Sequence, residues 1–183
     1  MARKVANVID AGERVRRLAR SLISYARPGA EKQEKVDIKD LVDEILSFSG
    51  YELSRGGVEI RNLAPENLPR FSAVKDQIEQ VLINLLTNAS HACEAKAGGK
   101  VEVSANASGK WLEFTVKDNG TGISPENLPR IFEPFFTTKK PVKGTGLGLN
   151  IVQSIVERHG GKVHVQSQPG QGTAFTIRLP LEP

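Results

Sequence analysis

Cysteine occurs once in this chain of 183 residues, as Cys93. A single thiol excludes a disulfide framework and a cysteine-built zinc cage, and it fits a reducing cytoplasmic setting. Aromatic residues make up only 5% of the sequence, which leaves little stacking surface for a nucleic acid. No apolar run approaches the roughly 20 residues that cross a bilayer, and no basic-then-apolar signal segment opens the chain. Net charge is also scarce: 25 Lys and Arg against 21 Asp and Glu give +4, with a pI near 9.3. That excess is too small to distinguish a nucleic acid from a bound polyphosphate. What remains is 39% hydrophobic and 25% charged, the composition of a soluble globular protein. A chain of this length buries roughly two-thirds of its unfolded surface, enough for a core without disulfides or metals.

Residues 1–27 read as one helix. Val8, Ala11, Val15, Leu18, Leu22 and Tyr25 alternate spacings of three and four, the stripe of a coiled coil or helix bundle, and Arg14, Arg16, Arg17 and Arg20 form a basic flank. Pro28-Gly29 stops it, and residues 30–35 read as a short polar linker. The rest alternates helical and strand periods. Ile38, Leu41, Val42, Ile45 and Phe48 give a helical face with Asp37 as its cap. Val58, Ile60 and Leu63 suggest a strand, and a long helix covers about Ser72 to Ala95. Strands follow near Lys100–Ala105 and Trp111–Lys117. A loop runs from Asp118 to about Gly146, then a helix to about His159. Strands Lys162–Gln168 and Thr173–Leu179 close the chain across Pro169-Gly170-Gln171-Gly172. The pattern is α+β, a mostly antiparallel sheet with helices on one face.

Three places put polar groups where packing alone would not. On the long helix, Gln77, Gln80, Asn84, Asn88 and His91 share a face apart from the apolar stripe. A merely wet face would carry Lys and Glu. Two asparagines one turn apart offer neutral oxygens, suited to a magnesium ion whose charge is met by phosphates, although asparagines on a solvated helix need no ligand to explain them. Asp118 lies in phase with Leu112, Phe114 and Val116, and a carboxylate ending a core-facing stripe must accept hydrogen bonds. It suits an exocyclic amine such as that of adenine; capping its own Asp-Asn-Gly turn would also account for it. Thr173, in phase with Phe175, Ile177 and Leu179, would meet Asp118, a ligand or the backbone.

The loop Gly144-Thr145-Gly146-Leu147-Gly148-Leu149 opens the helix through Val152 and Val156. Glycine-rich backbone at a helix N-terminus offers free N–H groups and a positive dipole end to phosphate. The loop follows no strand and precedes no Lys-Ser or Lys-Thr, so neither a dinucleotide fingerprint nor a Walker-type loop describes it. Lys139, Lys140 and Lys143 just upstream would neutralise phosphate charge, or simply form a solvated loop.

Together these residues resemble the ATP-binding catalytic domain of sensor histidine kinases, in the superfamily that includes gyrase and the heat-shock chaperone ATPases. Asn84-Leu-Leu-Thr-Asn88-Ala looks like the N box and Asp118-Asn-Gly120-Thr-Gly122-Ile123 like the first glycine box. Phe132-Glu-Pro-Phe-Phe-Thr-Thr-Lys139 looks like the F box, Gly144 to Leu149 like the second glycine box, and Gly172-Thr-Ala-Phe175 also matches. Four ordered boxes are far more specific than one. The match covers about residue 36 to the end, and Arg17 to Pro28 resembles the second helix of a dimerisation and histidine-phosphotransfer domain.

The resemblance implies a two-layer sandwich of a mixed, mostly antiparallel sheet and three helices, preceded by one N-terminal helix. It divides the chain into a helix remnant over 1–29, a linker over 30–35 and a catalytic domain over 36–183. ATP would occupy a pocket closed by a lid over 137–143, with Asp118 and Thr173 at the adenine amine and Asn88, with Asn84, on magnesium. Gly146 to Gly148 would hold the triphosphate, with His91 at a position the family often fills with a basic residue. The superfamily's water-using members carry a glutamate where this chain has Asn84, which cannot abstract a proton, so a kinase with an external acceptor is favoured over a hydrolase. None of His91, His159 and His164 has the context of the family's acceptor histidine. The expectation is a fragment that binds Mg-ATP without phosphorylating itself. Its partners would be the phosphotransfer helix of the same kinase, homodimeric at full length, and a response regulator receiver domain, with no nucleic acid and no membrane contact. A nucleotide-gated interaction module, or a serine-directed anti-sigma-factor kinase of the same fold, is the alternative.

Overall fold

The computed structural model describes residues 32–182 apart from 55, 95 and 139–144; the helix expected over 1–27 lies outside the described residues. Strand β1 is Glu34–Val36 and pairs antiparallel with β3, Phe71–Ala73. This small sheet takes in Glu34 and Lys35, the end of the expected linker, and it corrects one expectation: the long helix begins at Lys75 rather than Ser72. Three-residue strands are too short to show a period of two, but their pairing buries Val36 against Phe71.

Helix α1, Ile38–Leu53, starts as expected at Asp37, whose carboxylate accepts the Lys39 and Asp40 N–H groups at 3.0 and 3.3 Å. Helix α2, Lys75–Cys93, begins instead after Val74, which has no capping side chain. Its Val74 N–H donates to His159 Nε2 at 3.2 Å, so that nitrogen carries no proton. The proton is then on Nδ1, which donates to Ile155 O at 2.8 Å. One neutral imidazole thereby ties the start of α2 to the end of α3, Gly148–Arg158.

Among the described residues the main sheet has five strands: β2 (Glu59–Asn62), β4 (Lys100–Ser108), β5 (Trp111–Asp118), β6 (Lys162–Gln168) and β7 (Gly172–Pro180). Their order is β2-β4-β5-β7-β6. Only the β2–β4 pair is parallel. Leu112, Phe114, Val116 and Asp118 alternate onto the buried face of β5, opposite Ile177 and Phe175 on β7 and Val103 and Val101 on β4. The helices pack over this face, with Ile78, Leu82 and Leu85 of α2 and Val152, Ile155 and Val156 of α3 fully buried against it. The outward face carries a Thr115–Thr176 hydroxyl pair at 2.9 Å and an Arg178–Glu113 ion pair at 3.3 Å. This two-layer α+β sandwich is the expected one. It sets the end of α2, the end of β5 and the start of α3 around a common space.

Candidate functional site

A cavity of about 450 Å³ opens between α2, the loop after β5, the start of α3 and the β7 edge. Of the residues singled out from the sequence, Asn88, His91, Asp118, Gly122, Ile123, Thr145, Gly146, Gly148 and Thr173 line it. Thr121 and Phe136, quoted only as members of their boxes, and Ile131, which the sequence did not single out, line it too.

At the deep end, Asp118 and Thr173 are each only 5% exposed. One carboxylate oxygen, Asp118 Oδ1, accepts the Gly120 N–H at 2.8 Å and the Thr173 N–H at 3.3 Å. Two amides donating to one oxygen offset the cost of burying this carboxylate. The Thr173 hydroxyl does not turn to Asp118; it lies 2.9 Å from Ser167 Oγ on the neighbouring strand. Ser167 had the signature that marked Asp118 and Thr173, a polar residue ending the inward stripe Val163, Val165, Ser167. Asn119 braces the same turn: its amide oxygen accepts the Lys100 N–H at 2.8 Å and its amide nitrogen donates to Gly98 O at 3.0 Å. Lys96 Nζ donates to Asn119 O.

The glycines here are dictated by space. A methyl group on Gly122, at φ +68°, would lie 2.1 Å from Gln168 O, and one on Gly146, at φ +69°, 2.3 Å from the Phe135 carbonyl carbon. Phe135 itself stands at φ 65°. The F-box turn thus presses its backbone onto the second glycine box, an approach only glycine allows. Phe132 supports this contact from outside the cavity, packed on the core with its carbonyl accepting Asn150 Nδ2 at 3.1 Å.

At the other end, α3 begins at Gly148 with no capping side chain on Leu147. A methyl group on Gly148 would sit 3.3 Å from Asn84 Oδ1 and 3.8 Å from Asn88 Nδ2. Both amides therefore lie under the first residue of α3. Among the described residues, the buried Asn84 Nδ2 has no hydrogen-bond partner. His91 lines the cavity and lies 3.9 Å from Glu94 Oε1. Cys93, fully buried on α2, is a packing residue; burial pushes its thiol up from the ordinary value, and the Asp118 charge adds to the effect. Lys139, Lys140, Lys143 and Gly144 lie outside the described residues.

Residues 73–183 match the family model described as histidine kinase-, DNA gyrase B- and HSP90-like ATPase. The chain belongs to this family. Among curated relatives of this ATPase family, it is 37% identical over 169 residues to the sensor histidine kinase ZraS of Escherichia coli K12, a match covering 92% of this chain. It spans about a third of the length of that relative, 36%. Among solved structures, the catalytic domain of the histidine kinase ThkA superposes with a TM-score of 0.73 at 30% identity, covering 83% of this chain and 97% of that one. Full-length ShkA, solved in complex with AMPPNP, superposes with a TM-score of 0.82 at 30% identity, covering 96% of this chain and 38% of that one. The ATPase-family fold assigned from the four sequence boxes is the fold observed.

The residues present fit a magnesium ion carried in on phosphate. Among the described residues no three His, Cys, Asp or Glu side chains converge on one point, whereas two amides, one with a buried unsatisfied nitrogen, face the start of α3. Neutral amides suit an ion whose charge is balanced by its ligand rather than by the protein.

Proposed function

We propose that the chain binds Mg-ATP in this cavity as the catalytic domain of a two-component kinase. It hands the γ-phosphoryl group to a histidine on a dimerisation helix, from which a response regulator's aspartate takes it. The observation that carries the reading is the opposition of two ends in one cavity. A buried acceptor-only carboxylate, Asp118, is fixed by backbone N–H groups at one end. At the other, a glycine-opened helix N-terminus without a capping side chain stands over Asn88, which lines the cavity, and Asn84 beside it, whose amide nitrogen is buried.

Asp118 accepts the adenine amine. The backbone N–H groups and dipole at Gly146 to Gly148, where Leu147 N–H donates to Thr145 Oγ1 at 3.4 Å, hold the triphosphate. Asn88, with Asn84 beside it, would hold the magnesium, which would supply charge neutralisation on the phosphates. His91 faces the phosphates, and Lys139, Lys140 and Lys143 belong to a lid over 137–143. Asn84 has no basicity near neutral pH, so no residue at that place activates water, and the phosphoryl group goes to an external nucleophile. The chemistry is positioning and charge neutralisation, with no covalent step on this domain.

The proposed division is a dimerisation-helix segment over 1–29, a linker over 30–35 and the catalytic domain over 36–183. The partners are a phosphotransfer helix of the same kinase and a receiver domain, in the cytoplasm. No described helix is long and apolar enough to cross a membrane.

Calorimetric titration of Mg-ATP into the wild-type chain and into Asp118→Asn tests the reading. The expected outcome is magnesium-dependent binding that weakens about 100-fold or more in the variant, because an amide nitrogen would face the adenine amine donor to donor. Folded wild-type protein that takes up no nucleotide would overturn it.

A further inference from the structure

Helices α2 and α3 run antiparallel, and one side chain joins them at the end remote from the cavity. Val74, the residue before α2, donates its N–H to His159 Nε2 at 3.2 Å. The ring is held by its own turn of α3. Ile155 O accepts both the His159 backbone N–H at 3.2 Å and the ring Nδ1–H at 2.8 Å. Two residues on, a methyl group on Gly161 would lie 2.4 Å from Arg178 O of β7, so backbone meets backbone there. The C-terminal end of α3 is thus fastened to α2 and to the sheet. Its other end, at Gly148, has no capping side chain.

Length along the two helices connects this fastening to the cavity. Asn84 stands ten residues along α2 from Val74, and Gly148 stands eleven back along α3 from His159. At about 1.5 Å of rise per residue these are spans of about 15 and 16 Å. Two nearly equal struts measured from one hydrogen bond bring Gly148 over Asn84, where a methyl group would sit 3.3 Å from Oδ1. Apolar residues of both helices are buried over the same sheet face. Such packing holds helices together but still admits small sliding of one along the other. A directional bond at the far end resists that slide, and a shift of one residue would carry Gly148 off the asparagine.

We propose that His159 is a positioning residue for the phosphate end of the site. Its bond to Val74 sets the register of α3 on α2, and with it the place of the Gly146 to Gly148 backbone relative to Asn84 and Asn88. The inference rests on the Mg-ATP reading above and deepens it. Asp118 stands on β5 and takes no part in this register, so the base end is indifferent to His159.

Two substitutions separate the two ring bonds, because an asparagine amide nitrogen overlays Nδ1 and a glutamine amide oxygen reaches the place of Nε2. His159→Asn keeps the bond to Ile155 O and loses the one to Val74; His159→Gln does the reverse. The probes are Mg-ATP, by calorimetry, and adenosine, by NMR titration, since adenosine carries the base without the phosphates. In His159→Asn, Mg-ATP affinity should fall about tenfold while adenosine affinity holds. His159→Gln should stay within about twofold of wild type for both ligands. Unchanged Mg-ATP affinity in folded His159→Asn overturns the inference, and so does a loss that adenosine shares. A matching loss in His159→Gln would assign the effect to the bond within α3 and sink it too. Should His159→Asn not fold, Val74→Pro removes the donor instead, at a φ of −81° that proline accepts. The same loss, confined to Mg-ATP, is then required. Ring-nitrogen NMR of the wild type needs no variant: the proton must sit on Nδ1, and a proton on Nε2 ends the proposal. The two failures are distinct. A wild type that binds neither probe removes the Mg-ATP reading and this inference with it, whereas one that binds both, with His159→Asn unaltered, removes only the role of His159.

Discussion

At the Asp118 end of the cavity the backbone already meets the polar side chains, and at the Asn84 end it does not. Asp118 Oδ1 takes two N–H groups, Ser167 is engaged on three sides, and Gly122 and Gly172 press against carbonyls so closely that a methyl group would lie 2.1 and 2.0 Å away. Across the cavity, Asn84 Nδ2 is buried without a partner among the described residues and α3 starts without a capping side chain, as α2 does, whereas α1 is capped by Asp37. A buried unpaired polar group costs about 1–3 kcal/mol, and first-turn N–H groups without partners are held at similar disadvantage. On the Mg-ATP reading, the end that discriminates is finished before any ligand arrives. On the same reading, the end that receives charge keeps the Asn84 Nδ2 donor unspent, and the ligand offsets its cost.

The same substitution at both ends is the sharpest way to break this comparison. Gly122→Ala places a methyl group 2.1 Å from Gln168 O at a positive φ, and neither backbone can yield. It should lower unfolding free energy by about 3 kcal/mol or more, read by denaturant melts. Gly148→Ala meets Asn84 Oδ1 at 3.3 Å, a side chain that can give by a few tenths of an ångström. It should leave stability within about 1 kcal/mol and instead weaken Mg-ATP binding, because the shifted amide is part of the site. Equal losses of stability would show that both ends are equally prebuilt.

Asn84→Leu probes the unfinished end alone. Removing a buried unsatisfied amide in favour of an apolar side chain should hold stability constant or raise it by about 1 kcal/mol. Nucleotide binding should lose much of its dependence on magnesium, measured by titration with and without the ion. A clear loss of stability would mean that Asn84 is structural and that its unmet nitrogen has no bearing on ligand.

The site was legible in the sequence where a polar residue broke a stripe of known phase. Asp118 ends Leu112-Phe114-Val116 and Thr173 begins Phe175-Ile177-Leu179; both are buried as that phase required. Ser167 ends Val163-Val165 in the same way and was passed over, because serine is common at strand ends and only the register with Thr173 gives it a partner. That the Thr173 hydroxyl meets Ser167 was beyond the sequence for the same reason, since it depends on a neighbour six residues away across a hairpin. The three described α-helices and the positions of the main strands along the chain followed from periodicity. The pairing of β1 with β3 did not, because three residues carry no period and their partners lie 35 to 39 positions apart, as Val36↔Phe71 and Glu34↔Ala73 show only once the chain is folded. That Phe135 lies against Gly146 was equally hidden: proximity between the F box and the second glycine box comes from the turn at Phe135, not from either motif.

The smallest effect belongs to a polar contact away from the cavity, and it sets the scale for the others. Asp43 on α1 accepts from Lys39 Nζ at 2.7 Å and from Asn62 Nδ2 on β2 at 2.7 Å. The Lys39 and Asn62 hydrogen bonds hold its carboxyl below the usual aspartate value. Because the folded-state value is depressed, the contribution is present above the unfolded aspartate value near pH 4 and is lost as pH falls through the folded one. The Asp43 side chain is 48% exposed, so water screens most of the interaction, and Asp43→Ala should cost no more than about 0.5 kcal/mol at neutral pH. Urea melts of wild type and variant at pH 7 and pH 3 should show that small gap closing at the lower pH. Because Asp43 touches neither end of the cavity, Mg-ATP affinity at pH 7 should be the same in both proteins. A change in affinity there would mean that α1 and the nucleotide end are coupled, and the division into a finished and an unfinished end would have to extend to the helix behind them.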